Sequence, residues 1–289
     1  MTFIMSMIIN KLASGVKMPY NVVKGSFVQR QSKSGNLADL LYKNVQNHLI
    51  DDYSIIDYLS LQKYIQNILP DKGVKIIVQN LAENKLDECE GACEVLYNVQ
   101  KEIRAISINL GGTGNTVKSV HIPTFIHEFQ HACDDIYHPK FLARLQSLNK
   151  KNLANKKYED FYDQYYYCTE FVESKRDKKD VLKIIKNKTK KFLKGFNIED
   201  KMDYIQDMRY SLMSEIEAYK KERAAALDLK SKGFMVKDGD LEDYPKDGLF
   251  AEKINLLKEL GLEYITKERS KNLGRLNKSN SRKKVNSKI

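Results

Sequence analysis

The sequence predicts an α+β protein in which a small, mostly antiparallel sheet packs on one amphipathic helix and a large helical portion follows. Three observations carry this. Apolar residues recur at steps of three and four from Leu37 to Ile68; short β-branched segments crowd into residues 74–110; and helical spacing resumes after His121 and continues to about Leu262.

Taken in order, residues 1–35 hold Gly15, Pro19, Gly25 and the polar run Gln31–Gly35, which reads as a loosely ordered start. Leu37, Leu41, Val45 and Leu49, then Ile55, Tyr58, Leu59, Leu61, Ile65 and Ile68, predict two helices separated near Asp51-Asp52 and stopped by Pro70. Val74–Val78, Ala92–Tyr97 and Ala105–Leu110 predict strands, the last two joined by a polar turn at 98–102. The glycines of Gly111–Asn115 match no phosphate-binding spacing, so that segment reads as a plain loop. A helix follows from Ile122 to Tyr137, with Pro123 in its first turn and Pro139 past its end. Residues 140–200 read as a helical insertion, with Phe141, Leu145 and Leu148, then Val181, Ile184, Ile185 and Phe192 at helical spacing, and Tyr165-Tyr166-Tyr167 packing the helices together. A long helix is expected from Glu199 to Lys232, closed by Gly233, and a last one from Leu249 to Leu262 after a loop at 238–247. The Asn, Ser, Lys and Arg from Ser270 onward predict disorder. The expected organisation is a helical region at 1–70, a main domain at 71–265 and a basic tail at 266–289.

Composition narrows the class. A hydrophobic fraction of 42% and a charged fraction of 30% are those of a globular chain. No apolar run approaches the roughly 18 residues that span a bilayer. Met1–Ile9 is apolar but short, has no basic segment before it, and is followed by Asn10 and Lys11 rather than a small-residue cleavage site. The expected location is therefore the cytoplasm, or beyond it by a non-classical route, without a classical signal peptide. Cys89, Cys93, Cys133 and Cys168 are too scattered for a disulfide framework, and Cys89/Cys93 are one residue too far apart for a CxxC pair; Cys133 reads as core. Net charge is +11, of which the segment from Lys267 to Ile289, with nine Lys or Arg and a single Glu268, carries +8. The body is nearly neutral and the tail makes the chain basic.

The chemistry concentrates in His127-Glu128-Phe129-Gln130-His131. Ile122, Ile126, Phe129, Cys133 and Ile136 form the core stripe of that helix, and His127 and His131 lie beside it, one turn apart, projecting into the same space. Two imidazoles so placed can each give a nitrogen to one Zn²⁺, and Glu128 can accept a proton from water held there. With 5 His in 289 residues, chance supplies this pattern about 0.005 times. A catalytic zinc takes a third protein ligand. His138, directly before Pro139, is one residue beyond the position a metzincin would use, and Asp134 and Tyr137 replace that pattern's Gly and His. His48 and His121 stand alone. The better source is Ser214-Glu215-Ile216-Glu217-Ala218-Tyr219, where two acids sit among apolar residues, because a buried carboxylate needs a partner.

In these residues the chain resembles the gluzincin metallopeptidases, the thermolysin-like group with a zincin-like fold, over about residues 74–137 and 205–230. In that group HExxH is followed on a later helix by a ligand Glu, then a small residue and an apolar or aromatic one. Glu217-Ala218-Tyr219 matches this, so the resemblance implies Glu217 as third ligand of one Zn²⁺ per chain, with Glu215 as fallback. It also implies that the strands at 92–97 and 105–110 line the cleft and that Glu128 is the general base of peptide-bond hydrolysis on a protein or peptide substrate. Tyr219, two residues from Glu217, and His121 are the candidates to assist at the oxyanion. Two departures stand against thermolysin itself: a longer gap from His131 to the acid, and Lys221 where an orienting Asp would follow Glu217. Asp134 or Asp135 is then expected to orient a ligand histidine. Two other classes fit parts of the sequence. In a nucleic-acid-associated protein the basic tail would bind phosphates, read out as salt-dependent binding that is lost with the tail. In a non-catalytic interaction protein the zinc would be structural, held by four protein ligands.

Overall fold

The computed structural model of this chain describes residues 37–50, 55–68, 75–81, 91–97, 103–111, 116–137, 161 and 177–286. The expected start at 1–35, Tyr165–Tyr167, Cys89, Cys168 and His138 lie outside these. Helix α1 covers residues 37–46, β1 Ile55–Asp57 and α2 Tyr58–Ile68. Next come β2 (Lys75–Leu81), β3 (Gly91–Tyr97), β4 (Ile103–Gly111) and β5 (Thr116–Lys118). A 3₁₀ turn, Ser119–His121, leads into α3 (Ile122–Tyr137). The remaining helices are α4 (Lys178–Phe192), α5 (Ile198–Ser231), the short α6 (Tyr244–Asp247) and α7 (Phe250–Asn286). The mixed α+β class agrees with the sequence expectation.

The sheet differs in detail. The order is β2-β4-β3, with β3 antiparallel to β4 but β2 parallel to it, and β1 pairs with β5 in a separate antiparallel ribbon. Ile55–Asp57, expected as the start of a helix, is thus a strand. The helix begins after it because Asp57 caps it: Ser60 N–H donates to Asp57 Oδ1 at 2.9 Å and the Ser60 hydroxyl to Oδ2 at 2.7 Å. Alternation then decides what the central strand contributes. On β4, Ile106, Ile108 and Leu110 are buried against α3, which gives Ile122, Phe125, Ile126, Phe129, Ala132 and Cys133 to the same core. Leu41 and Val45 of α1, Leu61 and Ile65 of α2, and Ala225 and Leu229 of α5 complete it. Residues 37–68 therefore share one core with the sheet. Tyr42 fastens α1 to α5, its hydroxyl donating to Asp228 Oδ2 at 2.6 Å.

A second core lies farther along α5. Val181 and Ile185 of α4, Tyr204, Ile205, Met208 and Leu212 of α5, and Ile254, Leu257 and Leu260 of α7 are buried together. Helices α4 and α7 run parallel, with Lys178 paired to Glu252, Lys186 to Glu259 at 3.6 Å and Lys190 to Glu263 at 2.9 Å. These pairs are largely exposed, so the buried aliphatic side chains hold the helices and the ion pairs set their register. Helix α5 spans both cores. Asn197 caps it by accepting from Asp200 N–H at 2.8 Å. Gly233, at φ 88°, closes it, with Phe234 N–H returning to Leu229 C=O at 3.0 Å.

The basic C-terminal segment is a correction. It was expected to be disordered from Ser270, yet α7 continues to Asn286. Past Leu262 the segment has Gly274 but no Pro, and Lys and Arg are good helix formers, so nothing in it stops the helix. No helix among the described residues is long and apolar enough to cross a membrane.

Candidate metal centre

The site lies where α3 crosses α5, between the two cores. Along α5 the residues Tyr204, Met208, Leu212, Glu215, Tyr219, Glu222, Ala226 and Leu229 step by four, four, three, four, three, four and three, so they share one face. Tyr204, Met208, Leu212, Ala226 and Leu229 in that series are buried. Two carboxylates therefore interrupt the middle of a buried stripe, where each requires a partner. Helix α3 supplies the partners from its side facing α5, through His127 and His131 at i and i+4.

Glu215 meets both imidazoles: its Oε2 is 3.4 Å from His127 Nε2, and its Oε1 is 3.4 Å from His131 Nε2. The two Nε2 atoms are 3.1 Å apart. This is the one group of three His, Cys, Asp or Glu residues, among those described, whose ligand atoms converge closely enough for a metal ion. Two donors bound at about 2.0–2.1 Å to a tetrahedral zinc stand about 3.3 Å apart. The separations of 3.1, 3.4 and 3.4 Å are of that size, with a different oxygen of Glu215 facing each imidazole, and one donor atom from each of the three residues lies within 4.8 Å of the others.

The outer nitrogens are committed. His127 Nδ1 lies 2.6 Å from Glu222 Oε2. His131 Nδ1 lies 3.1 Å from Ser214 Oγ, whose hydroxyl donates to Asp134 Oδ2 at 2.6 Å, while Gln130 Nε2 donates to Asp134 Oδ1 at 3.1 Å. With each Nδ1–H donating outward, both Nε2 atoms turn toward the centre, the arrangement in which histidines bind metal. Electrostatics agree. Burial holds the His127 imidazole down, but hydrogen bonds and charge from Glu215 and Glu222 outweigh it and raise its pKa to about 10. Burial likewise opposes charge on His131, and Glu215 again raises it. Glu215 is pushed up by burial and brought well below the usual carboxylate range by the two imidazoles. The cluster favours positive charge at its centre, which protons supply as it stands and for which Zn²⁺ would compete.

Glu128 is buried beside this cluster. Burial raises its pKa, against the charges of His131 and His127. Tyr219 packs edge-on against His127, ring centroids 4.7 Å apart, and at a tilt against Tyr244 at 5.2 Å. Burial, then the charges of Glu215 and Glu222, raise the Tyr219 hydroxyl, which stays protonated.

Glu217 is a correction. It faces away from the cluster and pairs with Lys220 at 2.9 Å, because two residues along a helix is about 200° around it. Glu215, the fallback, takes the place expected of Glu217. His48 stacks on Tyr64, with Nε2 2.9 Å from the phenol oxygen, in a separate contact. His121 ends the 3₁₀ turn before α3. Asp134 is linked to His131 through Ser214. Glu222, which the sequence reading passed over, orients His127 directly; the signal that finds it is its place in the buried stripe of α5. Replacing Glu222 by Ala should weaken zinc binding by about 10–100-fold, as removal of a carboxylate behind a ligand histidine does. Competition with a chromophoric chelator measures this, and wild-type affinity in the variant would show that Glu222 does not support the metal.

No family model matches the chain, and no match was found among curated proteins or solved structures.

Proposed function

We propose that this chain is a zinc-dependent peptidase that hydrolyses peptide bonds at the crossing of α3 and α5. The observation that carries the reading is the convergence of His127 Nε2, His131 Nε2 and the Glu215 carboxylate, with both Nδ1 atoms engaged elsewhere and a buried carboxylate, Glu128, alongside. His127, His131 and Glu215 would hold the ion. When bound, Zn²⁺ would supply Lewis acidity, making water a nucleophile near neutral pH and polarising the scissile carbonyl. Glu128 takes the proton from water and passes it to the leaving amine; its raised pKa moves it toward the working range of a general base. Tyr219, its hydroxyl protonated, is proposed as a donor to the developing oxyanion. Among the described residues β3 pairs only with β4, and its second edge is proposed to take an extended peptide.

Metal removal tests this. Protein dialysed against a chelator should lose cleavage of a fluorogenic casein and regain it with one equivalent of Zn²⁺, but not with Mg²⁺. Casein cleavage that survives complete removal of zinc would dismiss the proposal, as would a stoichiometric zinc protein that cleaves neither casein nor a mixed peptide library.

A further inference from the structure

Edge strand β3 begins at Gly91, against the side of α3 that carries Thr124 and Glu128, one turn apart. A Cβ at Gly91 would stand 2.9 Å from Thr124 Cγ2, 3.0 Å from Glu128 Cγ and 3.2 Å from Glu128 Oε1. Carbon atoms rest at about 3.5–4.0 Å, so not even a methyl group fits. Backbone conformation is not the reason for the glycine, since the positive-φ glycines are Gly195 and Gly233. Nor can the strand easily retreat: Gly91 opposes Leu110 and Cys93 opposes Ile108, and both partners on β4 are buried in the first core.

We infer that Gly91 is a positioning residue for Glu128: its bare backbone forms the seat against which the stem and carboxylate of Glu128 lie, fixing the base beside the His127–His131–Glu215 cluster. The inference rests on the reading of Glu128 as general base, and it adds a requirement on a different element. Thr124 is β-branched and stiff in a helix, whereas Glu128 has three side-chain torsions. A side chain at position 91 is therefore accommodated mainly by displacing Glu128. His127 and His131, on the neighbouring side of α3, and Glu215 on α5 stay where they are.

Gly91→Ala tests the seat, with Gly91→Ala/Thr124→Ser as the relief variant, in which the atom closest to the new methyl group is gone and the hydroxyl is kept. Each zinc-loaded protein is titrated with acetohydroxamate, whose hydroxyl donates to a carboxylate at the place of Glu128, and with thiocyanate, which has no proton to give. Glu128→Gln serves as reference. Gly91→Ala should keep its zinc and its thiocyanate affinity, and bind acetohydroxamate about ten- to a hundredfold more weakly, the effect of losing a hydrogen bond to a charged acceptor. Casein turnover should fall in kcat with KM little changed, and Thr124→Ser should restore most of both losses. If Gly91→Ala binds acetohydroxamate like wild type while Glu128→Gln does not, the seat is rejected and the role of Glu128 stands. If neither variant loses affinity, the seat and the general base fall together. If Gly91→Ala and its relief variant both lose zinc or fail to fold, Gly91 serves the fold rather than the base, and the inference is overturned.

Discussion

Glu128→Gln is expected to abolish peptide hydrolysis while leaving one zinc bound. The substitution keeps the size of a buried side chain lying against β3, so packing between strand and helix is preserved. It removes the group proposed to accept a proton from water, a contribution of about 10²–10⁴ in rate. It leaves the Nδ1 partners of both histidines untouched, because His127 is oriented by Glu222 and His131 by Ser214. The zinc content of purified protein and the initial rate of casein cleavage should therefore separate, the first unchanged and the second near background. A variant that retains wild-type turnover would remove Glu128 from the mechanism.

Glu215→Ala should release the metal, and Glu217→Ala should not. Glu215 is 3.4 Å from both Nε2 atoms, whereas Glu217 forms an exposed helix-surface pair with Lys220. Zinc binding by a protein site is worth about 10–16 kcal/mol, so one of three ligands accounts for several kcal/mol, or at least about a hundredfold in affinity. An i, i+3 surface pair contributes only about 0.3–0.5 kcal/mol to stability, so Glu217→Ala should be almost silent. Both variants, dialysed against a zinc buffer at the wild-type midpoint, should part clearly: Glu215→Ala below a tenth of an equivalent and Glu217→Ala at the wild-type level. Equal retention in both would exclude Glu215 as a ligand.

The contrast between these two acids shows what the sequence made legible. The His127–His131 pair, with Glu128 next to it, was readable because a helix places i and i+4 together without any tertiary information. The acid that meets them depends on which face of α5 is buried. Local similarity of Glu217-Ala218-Tyr219 to a known pattern pointed to the wrong residue, while the four–three stepping from Tyr204 to Leu229 runs through Glu215 and Glu222 and passes Glu217 by. That periodicity was present in the sequence and outweighs the local match, because burial decides which carboxylate needs a partner. The strands expected at 92–97 and 105–110 stand at 91–97 and 103–111, but the parallel pairing of β2 with β4 and the β1–β5 ribbon join segments distant in sequence, and local pattern does not encode them. Ile55 fits a helical spacing as well as a strand, and pairing with Lys118 decides between the two. Ser214 as the link between His131 and Asp134 was not legible at all, since it depends on how closely α3 and α5 approach.

The most direct test of the account is X-ray absorption at the zinc edge on protein loaded with one equivalent of Zn²⁺. The account predicts two imidazole nitrogens and low-Z oxygen ligands at about 2.0–2.1 Å, with no sulfur, and loss of one oxygen scatterer or of the metal itself in Glu215→Ala. A first shell containing sulfur at about 2.3 Å, or a spectrum with no imidazole scattering, would place the zinc elsewhere and contradict the assignment of His127, His131 and Glu215.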